Sequence, residues 1–183
     1  MHWQAVAPSN DVAAASWIGS RLLPFDSYTV GAVVPTGYAA YARIPFNAEL
    51  APILARHTST PDRCWFCLWE GYAYLTGAMA ERTVWNPRSG YAPSPPSPPR
   101  LVPPPKLPTG RVRLPNRNYV LFTGSVEQGD GWQDGPNLWW PEDRSWCVAS
   151  EVDLDHTLVG GSPALADQLI KAGAHATAVD EQL

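Results

Sequence analysis

The chain has 183 residues, of which nine are Trp, 20 Pro and three Cys, with 45% hydrophobic and 16% charged residues and a net charge of −4. That length carries one domain with a sizeable core. The composition excludes a disordered chain or a coiled coil, and no apolar run approaches the ~20 residues of a membrane helix. Net acidity argues against a general nucleic-acid binder. The low, odd cysteine count argues against a disulfide scaffold, and Met1 to Gln4 lack the basic and apolar regions of a signal peptide, so a reducing cytoplasm is the expected location.

The charge is unevenly spread. Residues 1–126 carry a net +5 and residues 127–183 a net −9, and no acid falls between Arg82 and Val126. Two readings follow: the basic stretch folds against the acidic third and neutralises it, which is the preferred one, or it forms an anion-binding arm.

In chain order, Asn10 or Asp11 caps a helix through Leu22, with Ala13, Ala14, Trp17 and Ile18 on one side and Pro24 as its stop. Tyr28 to Val34 and Tyr38 to Ile44 read as two strands of a hairpin around Pro35-Thr36-Gly37. Asn47 caps a short helix through His57, with Leu50, Ile53 and Leu54 inward. Cys64-Trp65-Phe66-Cys67-Leu68-Trp69 is apolar at both parities, the mark of a central strand covered on both faces. Tyr72 to Ala80 is ambiguous. Trp85 to Gly110 holds ten of the 20 prolines and cannot join a sheet, so it reads as a polyproline II or disordered spacer that interrupts a single domain. Within it, Pro95-Pro96-Ser97-Pro98-Pro99-Arg100 matches the form bound by SH3 domains, although a spacer is the stronger reading. Val112 and Leu114 are expected to start a strand, and Asn118 to Phe122 forms another. Glu127 to Asp134 is a Gly-rich polar loop, and Trp146 to Val159 alternates as a long strand or hairpin arm. Ser162 caps a helix with Pro163 at its first position and Gly173 as its stop. Ala176 to Val179 adds an edge strand.

Four features bear on chemistry. Cys64 and Cys67 have C-x-x-C spacing, with His57, Cys147 and His156 as further potential ligands. On a strand, however, positions three apart face opposite ways, so buried cysteines acting as small hydrophobes are the better account. Glu151, Asp153 and Asp155 alternate and would share one strand face about 6.5–7 Å apart. They form either a divalent-cation or acid/base site or a solvated face, and Arg111, Arg113, Arg117 or Arg144 is expected as a basic neighbour. Gly160, Gly161 and Ser162 join a strand to a helix N-terminus, which suits turn and cap chemistry or an anion. Trp132, Trp139, Trp140 and Trp146 cluster, and adjacent Trp139 and Trp140 cannot both face inward on a regular strand. One of them is therefore expected at a surface, in a groove or in a loop packed on the core, and core packing of the cluster is the preferred reading. With Trp132 and Asn137 they are the candidate binding residues, for sugar stacking or a protein hot spot.

Three blocks, Arg63 to Tyr72, Arg117 to Gly124, and Pro136 to Cys147 with Gly160-Gly161, together with Tyr41-Ala42-Arg43-Ile44 and His57-Thr58, resemble a family of uncharacterised actinobacterial proteins. The resemblance covers about half the chain and implies no activity or catalytic residue. Its members carry a longer segment after the Ala-Arg-Ile block, where this chain has only Pro45 to Glu49.

The expectation is an α+β fold, a mostly antiparallel sheet with two to three flanking helices and a Pro-rich excursion. The expected function is a non-catalytic, soluble binding or protein-interaction module using the Trp-rich loop beside the acidic strand, with a possible protein partner and no cofactor, membrane or nucleic acid. The alternative is a divalent-metal-dependent enzyme built on Glu151, Asp153 and Asp155.

Overall fold

The computed structural model describes residues 6–25, 28–46, 48–72, 75, 107–115, 117–130, 132, 135–173 and 176–180. The chain divides into two units, Met1–Trp69 with Pro108–Leu183, and Glu70–Leu107. Of the second unit only residues 70–72, 75 and 107 are described, and there the Leu75 amide donates to the Tyr72 carbonyl at 2.9 Å. Most of the expected Pro-rich excursion 85–110, the Pro95–Arg100 motif included, and most of the ambiguous Tyr72 to Ala80 stretch lie outside the described residues.

The first unit is α+β. Its strands are β1 (Ala7–Ser9), β2 (Ala40–Pro45), β3 (Cys64–Trp69), β4 (Val112–Arg113), β5 (Asn118–Gly124), β6 (Leu138–Pro141), β7 (Cys147–Ala149), β8 (His156–Gly161) and β9 (Thr177–Val179). Its α-helices are α1 (Ser16–Gly19), α2 (Val30–Val33), α3 (Ala51–Leu54) and α4 (Pro163–Ala172). Among the described residues, all nine strands form one sheet in the order β1-β5-β3-β6-β7-β8-β2-β9, with β4 also beside β5. Every pairing is antiparallel. As its two-sided apolar pattern predicts, β3 lies between β5 and β6.

The sheet carries apolar side chains on both faces. Cross-strand partners share a face, so Cys67 aligns with Leu121 and Leu138, Leu138 with Ala149, and Ala149 with Leu158. This row packs with Ala15, Trp17, Ile18, Val30, Val33 and Val34 from the N-terminal segment. The opposite face aligns Phe66 with Phe122 and Trp139, Trp139 with Val148, Val148 with Val159, and Val159 with Ala42. There Trp132 stacks on Phe66 at 5.8 Å and meets Phe122 edge-on, and Trp146 meets Trp139 edge-on at 5.3 Å. Helix α4 packs on β2 and β8 over that same face.

Two expected elements are corrected. Tyr28 to Val34 is not a hairpin strand: it carries α2, whose Val30 and Val33 are buried against the sheet together with the following Val34. The hairpin has no edge to use, because β8 and β9 occupy both sides of β2. Trp146 to Val159 is not one long strand but the hairpin β7–β8, with residues 150–155 as its connection.

The helices follow their local signals unevenly. Ser162 accepts the Leu165 amide at 3.2 Å with Pro163 in the first turn, and Gly173 ends α4. The expected Asn10–Leu22 helix is a 3-10 turn at Val12–Ala15 followed by α1. Asn47 lies outside the described residues, and the helix expected from it is α3 followed by a 3-10 turn at Ala55–His57. Among the described residues no helix is long and apolar enough to cross a membrane.

Candidate binding cavity

Both indoles of the Trp139-Trp140 pair are buried, at 2% and 1% exposure. Neither of them reaches a surface, in keeping with the core-packing reading, because both faces of the sheet are covered. Trp140 meets Trp17 edge-on at 6.1 Å on the N-terminal side, whereas Trp139 joins Phe66 and Trp146 on the other. Asn137 is also buried, and its polar groups serve the main chain. Its Oδ1 accepts the Trp69 amide at 2.8 Å, and its Nδ2 donates to the Ser150 carbonyl at 3.1 Å.

Trp132 and Trp139 nevertheless line a cavity of about 660 Å³ on the second face, within the size range of small-molecule sites. Its inner wall is built on the sheet, from Trp139 of β6, Val148 of β7, Thr157 of β8, and Ser150 just after β7. The Ser150 and Thr157 hydroxyls bond to each other at 2.9 Å. The remaining wall comes from Phe46, from Ala48 to Leu50, from Glu127, Gly129, Asp130 and Trp132, and from Gly135-Pro136.

The loop that supplies Asp130 is held by its own polar groups. Ser125 and Gln128 form a reciprocal capping box around the 3-10 turn Val126–Gln128, and the Trp132 indole N–H donates to the Gln128 carbonyl at 2.6 Å. Gly129 packs directly on the Trp139 ring, where an added Cβ would collide with the six-membered part of the indole. Asp130 reaches across to the start of α3, its two oxygens accepting the Leu50 and Ala51 amides at 3.0 and 2.9 Å. Burial pushes its carboxyl above the ordinary value against those two bonds, and the Glu49 charge adds to the rise. Glu49 and Glu127 are exposed at the rim. Among the described residues lining the cavity there is no Lys, Arg or His.

The Glu151, Asp153, Asp155 triad does not form a strand face, because all three lie in or at the end of the β7–β8 connection. Glu151 is 5% exposed and pairs with Arg117 at 2.7 Å. Arg117 also binds Asp153 at 3.0 Å and lies over the Trp69 ring at 4.5 Å, and the Tyr28 hydroxyl donates to Asp153 at 2.6 Å. Asp155 turns instead to His156 Nδ1 at 2.9 Å. Arg117 is thus the basic neighbour of two of the carboxylates. No group of three or more His, Cys, Asp or Glu able to hold a metal occurs among the described residues.

Gly160 and Gly161 lie in β8 rather than in an open loop, and the Ser162 hydroxyl is spent on the Leu165 amide. A Cβ on Gly160 would come within 2.5 Å of the Tyr38 ring, so close packing explains this residue. Cys64, Cys67 and Cys147 are buried thiols. Cys64 and Cys67 project from opposite faces of β3, and burial pushes both above the ordinary value, Cys64 to about 12. His57 is bonded to Gln168 at 2.7 Å.

The cavity's polar residues, Glu49, Glu127, Asp130, Ser150 and Thr157, escape sequence reasoning. They converge from the α3 lead-in, the loop after β5 and two strand ends, and no local spacing links them. Comparison with family models, with curated proteins and with solved structures found no match.

Proposed function

We propose that the protein is a non-catalytic binding module of a reducing cytoplasm whose site is the cavity beside Trp132 and Trp139. The observation that carries this reading is a sheet-backed cavity of about 660 Å³ with apolar walls and a few fixed polar groups, the usual constitution of a ligand site. The paired Ser150 and Thr157 hydroxyls and the clamped Asp130 carboxylate are suited to hold and orient a ligand. Three buried free cysteines support the reducing compartment.

The test is a thermal-shift panel of neutral saccharides, carboxylates, phosphates and organic cations at millimolar concentration. It is run on the wild type and on Ala48→Trp, which fills the cavity from its half-buried Ala48 wall. A ligand class that raises the wild-type melting temperature but leaves Ala48→Trp unmoved is the expected result. No shift with any class removes the reading.

A further inference from the structure

We infer, resting on the reading of the cavity as a binding site, that its ligand presents a protonated amine or guanidinium head on an aliphatic stem. Charge is the first argument. Glu49, Glu127 and Asp130 line one cavity, with no Lys, Arg or His among its described lining residues. An anionic ligand would meet three like charges there, whereas a cation gains from all three.

The aromatic residues supply the second argument. Recognition of a sugar by stacking needs an open indole face. Here Phe66 lies against Trp132, and Trp146, Phe66 and Gly129 lie against Trp139. Both indoles are buried, at 4% and 2% exposure, and offer the cavity only a small apolar margin. That margin, with Leu50 and Val148, suits an alkyl stem.

Asp130 supplies the third argument. Its oxygens are fixed by the Leu50 and Ala51 amides, so the carboxylate is oriented before a ligand arrives. Each oxygen keeps a further acceptor site for an N–H donor. The stem and head have two sources with the same chemistry, a free alkylammonium or the Lys or Arg side chain of a peptide.

The experiment is calorimetric titration with three probes of equal length, n-pentylammonium, n-pentanol and pentanoate, and with a blocked Gly-Lys-Gly peptide. Pentylammonium is expected to bind at least about tenfold more tightly than pentanol, with pentanoate undetected. Glu49→Gln with Glu127→Gln is expected to weaken pentylammonium about tenfold without moving the melting temperature, since both side chains are exposed. Tighter binding of the peptide assigns the side-chain source, and tighter binding of pentylammonium assigns the free amine. Either result supports the inference. Equal binding of pentanol or pentanoate, or an unchanged affinity in the double Gln variant, overturns the cationic ligand while leaving the cavity a site. Failure of every probe, together with a silent saccharide and phosphate panel, overturns both.

Discussion

Two groups of three carboxylates lie in the same unit and are treated in opposite ways. Glu151 and Asp153 share Arg117, which also stacks on Trp69, and Asp155 bonds the neighbouring His156. Glu49, Glu127 and Asp130 line a cavity whose described walls hold no base. The first group is dense in sequence, and two of its members share one cation. The second is dispersed over the chain and presents its charge to whatever enters. Charge density along a chain therefore does not show which carboxylates lack a basic neighbour, because Arg117 reaches Glu151 and Asp153 from a distant strand connection.

The sharpest way to break this contrast is to remove Arg117. Arg117→Ala leaves Glu151 buried without its cation and is expected to cost about 3 kcal/mol of stability in denaturant unfolding. Pairing Arg117→Met with Glu151→Leu should restore most of that loss, since an apolar pair of similar size needs no counter-charge. A double variant as unstable as Arg117→Ala alone would show that packing on Trp69, not the ion pair, is what matters.

Next in size is Gly129→Ala, where the new methyl group meets the Trp139 ring. Overpacking against a rigid indole is expected to cost about 2 kcal/mol and to abolish ligand shifts, because Trp139 and the Asp130 loop must part. Unchanged stability would mean that the cavity wall is softer than the contact implies.

Asp143 shows a third treatment of a carboxylate, by neutral donors. Burial raises its value, but the amide and hydroxyl of Ser59 and the amide of Ser145 outweigh that and hold it at about 2. Thr58 adds a hydroxyl donor at 2.9 Å. The folded value lies below that of the unfolded chain, so the stabilisation is complete above about pH 4 and disappears as the pH falls towards 2. Because the group is largely exposed, the expected loss is about 1 kcal/mol. An Asp143→Asn variant should show that much less acid dependence between pH 4 and 2.

The smallest effect belongs to the rim. Glu49→Gln and Glu127→Gln are expected to change stability by less than about 0.5 kcal/mol each. A larger loss would mean that these acids are structurally paired like Glu151 and do not face the cavity.

Strands β3 and β5, helix α4 with its Ser162 cap, and the edge strand β9 were legible in sequence because their signals are local: two-sided apolar runs, a Ser-Pro start and a Gly stop. The β2 environment was not, because its partners lie more than a hundred residues downstream. The alternation of Glu151, Asp153 and Asp155 misled because a polar connection and a half-buried strand share the same period. Adjacent Trp139 and Trp140 are both buried because the sheet is covered on both faces, as the apolar pattern of β3 already signals. The cavity stayed hidden because five separate segments build it.

A sheet buried on both sides has an unusual problem in choosing its alignment. In a one-sided sheet, sliding a strand by one residue throws its apolar set into water, and that penalty selects the correct pairing. For β6 the slide would merely exchange Trp139 for Trp140, and hydrophobicity alone hardly distinguishes the two states. Asn137 makes the distinction: its side chain joins the Trp69 amide on one neighbour to the Ser150 carbonyl on the other. Displaced by one position, it would meet an apolar layer with its amide unanswered. A single polar residue at the end of an oily strand thus acts as the index mark from which the strand's alignment is counted.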